Sequence, residues 1–189
     1  YAYLSSPPQG VDPLVQLETG LAQPDGIAFF SDKTLGSKVF WAEFSDPGRV
    51  LAGTLNANFT AFTDVTELAT GNPYPVRLVA DKTFVYWTNE GTFDQTNGSV
   101  TRIQHANPGA SPFSLTPDPL AAPRALALDL DASGLAKDLY FATIADGTVW
   151  RIPNASSASP GAPEKFITGL LAPNGIAVDG KNVYVANRG

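Results

Sequence analysis

Four prolines, Pro24, Pro75, Pro123 and Pro173, stand 51, 48 and 50 residues apart, and after each of them the chain runs through the same sequence of segments. First comes a short apolar run, "GIAFF", "RLVA", "ALALDL" or "GIAVD". A turn leads to a second run, "KVFWAE", "FVYWTN", "DLYFAT" or "NVYVAN". A Gly-led or Asn-Gly-type turn leads to a third, "GRVLAGTL", "NGSVTRI" or "DGTVWRI", and a Pro-, Ser-, Asn- and Ala-rich loop to a fourth, "VTELATG", "FSLTP" or "KFITG". A fixed period of about 50 residues is the mark of a repeat architecture, in which each unit covers the apolar face of its neighbour.

The runs are short, rich in Val, Ile, Phe, Tyr and Trp, and punctuated by turn residues, so they read as β-strands. No window sustains apolar spacing at 3.6 residues, so helices should be nearly absent. Four antiparallel strands per unit, repeated radially, make the blades of an all-β propeller. The innermost strands are expected near 26–30, 76–80, 125–129 and 175–179. Aromatics of the second strand, Trp41, Tyr86, Trp87, Phe141 and Tyr184, should fill the wedges between blades, because rings bury large apolar areas there.

The two ends complete the pattern. "YAYL" at residue 1 aligns with "VWRI" at 149, and "LVQLETGLAQP" with "KFITGLLAP". The chain thus opens on strands three and four of a blade and closes on strands one and two. It holds four blade equivalents, about 21–70, 71–119, 120–169, and 170–189 taken with 1–20. Two readings stay open. Either the chain is part of a larger ring, for example of six blades, which is the favoured reading, or its ends join into one composite blade of a closed four-bladed ring. Closure would remove the sheet edges that invite aggregation.

Composition narrows the function classes. A chain of 189 residues with 43% hydrophobic residues fits one globular domain. The net charge of −6 carries no basic stripe, which argues against nucleic acid as a partner. No run reaches the roughly 18 apolar residues of a membrane span, so membrane insertion is not expected. The absence of Cys excludes disulfides, thiolate zinc sites and cysteine nucleophiles. Three N-x-[ST] sequons, at Asn58, Asn97 and Asn154, point to a secreted or cell-surface glycoprotein.

The repeats "PNGIAVDGKNVYVANRG" resemble those of NHL-type propellers and of the gluconolactonase/regucalcin-like family, and "FVYWTN" resembles the YWTD repeat. The resemblance spans essentially the whole chain and implies the fold. In the gluconolactonase-like enzymes it implies a metal held at the channel mouth by a Glu, two Asn and an Asp. Only Asn174 of "PNG" matches that pattern. The corresponding positions here are Asp25, Val76 and Arg124, and arginines at 77 and 124 would repel a divalent cation. The lactonase site is therefore either absent or completed by residues outside this segment.

The remaining candidates are geometric. Loops entering the innermost strands and loops joining strands two and three share one rim of the channel. That rim should carry Asp25, Arg77, Arg124 and Asn174 near the axis, with Glu43, Glu90, Phe93 and Asp94 further out. Phe93, in the long loop "NEGTFDQTNGS", is the first candidate for contact with a protein or glycan partner. "DLDASG" places Asp129, Asp131 and Ser133 like the start of a calcium loop, but Tyr140 stands where an EF-hand needs Glu, so no cofactor is expected, with calcium as the alternative. Asp81, Asp129 and Asp179 recur six residues after a proline, as side chains that hold a turn do. Asn89 and Asn187, at the ends of second strands, read the same way. The lone His105, in "RIQHANPG", reads as a solvated loop residue. Together these features predict a non-enzymatic extracellular binding or structural module, with a lactonase-like hydrolase as the alternative.

Overall fold

The computed structural model describes residues 1–3, 9–10, 12, 14–92, 96–117 and 119–188. The described residues form strands and turns, with no helix among them. The strands are β1 (Ala2–Tyr3), β2 (Leu14–Val15), β3 (Pro24–Asp32), β4 (Gly36–Glu43), β5 (Gly48–Leu55) and β6 (Phe62–Asn72). They continue as β7 (Pro75–Ala80), β8 (Phe84–Asn89), β9 (Ser99–Gln104), β10 (Phe113–Ser114) and β11 (Pro123–Leu130). The last five are β12 (Ala136–Thr143), β13 (Thr148–Pro153), β14 (Glu164–Ile167), β15 (Pro173–Val178) and β16 (Val183–Asn187).

Three antiparallel meanders, β3–β6, β7–β10 and β11–β14, are complete four-stranded blades, and β1–β2 and β15–β16 are two-stranded sheets. The innermost strands β3, β7, β11 and β15 pack side by side in that order. Among the described residues the two half-blades are not hydrogen-bonded to each other, so the ring is not closed, which fits a partial propeller.

The anchor prolines have a visible cause. Pro75 lies against Gly48, which opens β5, and Pro123 against Gly98, which immediately precedes β9. A Cβ at Gly98 would fall 2.4 Å from the Pro123 ring. The residue before each proline, Gln23, Tyr74, Ala122 or Ala172, is left-handed, with φ between 50° and 54°. That conformation costs a non-glycine residue about 1–2 kcal/mol. The carbonyls of three of these corners accept the N–H that follows the second strand: Phe44 to Gln23, Glu90 to Tyr74 and Ile144 to Ala122. Immediately after each proline the β-ladder slips, as a bulge does, before regular pairing resumes.

Cores lie between blades. Phe40, Ala42, Val50 and Leu68 of the first complete blade meet Leu78, Val85, Trp87 and Ile103 of the second. Tyr86, Val100 and Leu115 of the second meet Leu126, Leu139, Phe141 and Ile152 of the third. Ala125, Ala142 and Val149 of the third meet Ile176 and Val185. Of the expected wedge aromatics, Trp41, Tyr86, Trp87 and Phe141 are buried, whereas Tyr184 is 54% exposed because no blade covers β16.

Candidate functional site

Asp25, Arg77 and Arg124 follow the prolines of three neighbouring inner strands, and the structure brings them together at one rim. Arg77 Nη1 donates to Asp25 Oδ1 at 2.8 Å, joining the first and second complete blades. Arg124 Nη2 donates to Glu90 Oε2 at 2.7 Å, joining the second and third. The hydrogen bond to Glu90 comes first among the causes that hold the Arg124 guanidinium protonated above its ordinary value, and the charge of Asp25 adds to it. The side chains of all four residues retain between 21% and 41% exposure, so solvent reaches both pairs. Arg124 Nε is buried and has no partner. Thr88 fixes the backbone beneath: its Oγ1 accepts from Arg77 N at 3.3 Å and donates to Arg124 O at 3.1 Å. Asn174 is exposed on the same rim at the start of β15.

Glu43 is not a contact residue. It is 2% exposed, its Oε1 accepts from Ala22 N, and its Oε2 takes Arg49 Nε at 2.7 Å. It stands where Asn89, Thr143 and Asn187 end their strands, and like Asn187 it accepts the N–H two residues before the anchor proline. Asn187 Oδ1 accepts from Leu171 N at 2.8 Å, as its recurrence indicated, whereas Asn89 bonds the side chains of Trp87, Ser99 and Thr101. Phe93 and Asp94 lie outside the described residues.

The turn aspartates divide into two kinds. Asp81 Oδ1 accepts from Thr83 N and Phe84 N, both at 2.7 Å, and Asp179 Oδ1 from Lys181 N and Asn182 N. Each also accepts a tyrosine hydroxyl, Tyr86 or Tyr184. Backbone N–H groups hold the Asp179 carboxyl well below its ordinary range. Asp129 departs from the pattern and pairs instead with Lys137 at 3.4 Å. The β11–β12 hairpin is longer, so its turn falls two residues later. There Asp131 Oδ1 accepts from Ser133 N, Ser133 Oγ and Leu135 N. Among the described residues no group of three or more His, Cys, Asp and Glu side chains converges as a metal cluster.

His105 is not a solvated loop residue. It is 3% exposed, packed against the Phe30 and Phe40 rings, with Nε2 3.3 Å from Asp81 O. Burial, followed by the charge of Lys38, lowers its pKa. The surrounding polar string "RIQHANPG" hid this, because the two phenylalanines come from strands some 70 residues away in sequence. A second residue that sequence reasoning passed over is Arg102, which is buried with its guanidinium 4.4 Å from the Phe84 ring centre. It donates to the carbonyls of Ala155 and Ser157, tying the β13–β14 loop to the preceding blade. Asn58 and Asn154 are exposed in β5–β6 and β13–β14 loops, while Asn97, between β8 and β9, is half-buried and accepts Thr92 N at 2.8 Å.

No protein-family model and no curated protein sequence matches this chain. Solved structures do. Streptogramin B lyase superposes with a TM-score of 0.61 at 14% identity, over 90% of this chain and 50% of that one. A candidate 6-phosphogluconolactonase from Bacteroides uniformis superposes with a TM-score of 0.53 at 13% identity, over 85% of this chain and 49% of that one. The chain therefore spans about half the length of the structures it matches. At these identities the likeness concerns backbone architecture alone, and that architecture is the β-propeller.

Proposed function

We propose that this chain is a non-enzymatic binding module whose channel-entrance rim receives a protein or glycan partner. The observation that carries the reading is the pair of ion bridges, Arg77–Asp25 and Arg124–Glu90, linking three blades at the rim. Carboxylates already engaged by guanidinium groups are poor proton acceptors for a substrate. Preset Arg–carboxylate pairs, by contrast, present fixed donors and acceptors without the entropy cost of ordering long side chains. Exposed Asn174 adds an amide on the same rim. Arginine is among the residue types that dominate interface energetics. Asn58 and Asn154 lie in loops at the opposite rim from the inner-strand entrances, so glycans there on a secreted form would leave the entrance rim free, whereas a glycan on Asn97, between β8 and β9, would narrow it.

The test is a pull-down from the native source with wild-type and Arg124→Ala baits, accompanied by glycopeptide mapping. We expect Arg124→Ala to weaken capture at least about tenfold, the size of a moderate hot spot. Equal capture by both baits would end the rim assignment.

A hydrolase reading is the alternative, since the same fold carries a candidate lactonase about twice as long as the matched segment. In that case the rim residues would position a substrate, and groups beyond this segment would supply the reacting atoms. Lactone hydrolysis by the native protein, lost in Arg124→Ala, would establish it.

A further inference from the structure

Hairpin length alternates along the array, and the alternation cuts a notch into the rim opposite the channel entrance. From its proline, β7 runs 6 residues before it turns, whereas β3 runs 9 and β11 runs 8. The β7–β8 hairpin is therefore recessed between two longer ones, and the notch left there has a volume of about 490 Å³. That lies within the roughly 300–1,000 Å³ of small-molecule sites. Its described lining residues all belong to the three complete blades, and neither β1–β2 nor β15–β16 contributes to it.

The side walls are leucines. Leu35, 40% exposed, stands on the first blade, and half-buried Leu135 on the third. An aspartate of each hairpin sets its leucine: Asp32 Oδ1 accepts Leu35 N and Asp131 Oδ1 accepts Leu135 N, both at 3.1 Å. The floor is the recessed end of the second blade, with Thr83 and Gln104, where His105 N donates to Thr83 O at 3.2 Å. Both neighbours brace it. Lys38 Nζ of β4 donates to His105 O at 3.2 Å, and Lys82 N donates to Gly134 O of the β11–β12 hairpin at 3.1 Å. Bonds within the molecule thus hold the notch in shape before any ligand enters, as in most small-molecule sites.

The charge of the lining has one sign. Exposed Lys82 is its single charged side chain, with the Thr83 hydroxyl and the Gln104 amide alongside. Among the described residues Lys82 enters no ion pair. The carboxylates of the three hairpins, Asp32, Asp81 and Asp131, are each engaged by backbone N–H groups of their own turns. The Thr34 and Leu35 N–H groups hold the Asp32 carboxyl below its ordinary range, and the charge of Lys82 adds to the shift without an ion pair forming. A compact ammonium beside neutral donors suits one anionic group, and flanking leucines suit an aliphatic body.

We propose that this notch is a binding site for an aliphatic monocarboxylate. The carboxylate lies against Lys82, with Thr83 and Gln104 as neutral donors, and the chain lies between Leu35 and Leu135. Because the walls come from the first and third blades and the floor from the second, a bound chain spans both joints. The notch is at the other end of the strands from Asp25 and Arg124, so it stands independently of the entrance-rim reading.

The test titrates octanoate, below its aggregation threshold, into the isotope-labelled 189-residue chain and follows backbone amides by nuclear magnetic resonance. Saturable shifts are expected at Leu35, Lys82, Thr83, Gln104 and Leu135, with a Kd below about 1 mM. Octylamine, of opposite charge, and acetate, which lacks the chain, should bind at least about tenfold more weakly. Lys82→Gln should weaken octanoate about tenfold and Leu35→Ser about fivefold, both at exposed positions where the fold tolerates change. Lys33→Gln, exposed and outside the lining, should bind as wild type. The proposal is overturned if octanoate gives no saturable shift, or if the shifts centre elsewhere in the chain. It is equally overturned if octylamine binds as tightly, if Lys82→Gln binds as wild type, or if Lys33→Gln weakens binding as much.

Discussion

Replacing Asp81 by alanine removes one carboxylate on which two blades converge. The side chain is 1% exposed and accepts four hydrogen bonds: Thr83 N, Phe84 N, Tyr86 Oη and Ala136 N. Two of the donors shape the β7–β8 turn, and the third and fourth tie that turn to the inter-blade core. A hydrogen bond to a charged group contributes about 1.5–3 kcal/mol, and each donor stranded in a buried site costs about 1–3 kcal/mol. These terms do not add, because donors near the turn recover water and the carboxylate no longer has to be desolvated. A net loss of about 4 kcal/mol follows. In a domain of this size that lowers the melting temperature by roughly 8–16 °C, at 2–4 °C per kcal/mol. Thermal melts followed by circular dichroism and urea unfolding at neutral pH measure it. Asp81→Asn, which keeps an acceptor for the turn but presents a donor to one neighbour, should fall between wild type and Asp81→Ala. Asp32, which accepts only Thr34 N and Leu35 N in an exposed turn, is the control and should show a clearly smaller loss. An Asp81→Ala protein within about 1 kcal/mol of wild type would refute the assignment of this carboxylate as a structural joint.

Burial holds the His105 pKa below its ordinary 6.5, with Lys38 adding to the shift, so the unfolded chain binds the proton more readily. The stability contribution is complete above about pH 6.5 and is lost as the pH falls towards the lowered value. Urea midpoints at pH 7.5 and 5.5 should differ more for wild type than for His105→Gln. Gly98→Ala should destabilise by about 1–3 kcal/mol, as overpacking does, because its Cβ would meet the Pro123 ring and the carbonyls of Asn89 and Glu90. A melt unchanged from wild type would show that the neighbouring blade can move aside.

Strand order and inner-strand positions were legible because period-two alternation and turn residues are local signals, repeated here several times over. The shared rim was legible for the same reason: position relative to the proline fixes the end of the blade on which a residue lies. What each rim residue does was less so. Arg77 and Arg124 are one residue out of step relative to their prolines, yet both lie within the ladder slip and pair with Asp25 and Glu90. Glu43 looked like a rim acid because its burial depends on Ala22 and Arg49 from two separate segments. Asp129 kept its spacing from Pro123, yet the longer β11–β12 hairpin transferred the turn to Asp131. His105 was misread most plainly, since its cage of rings belongs to another blade.

The alternation of those hairpins carries a consequence for ancestry. The second and fourth blade equivalents share the short Asp–Tyr turn, with Asp81 and Asp179 lying 98 residues apart, as do Tyr86 and Tyr184. The first and third share the longer hairpin, with Asp32 and Asp131 lying 99 residues apart. Each turn thus matches the blade after next better than the blade beside it. Copying single blades would not favour that pattern, whereas copying them in adjacent pairs reproduces it.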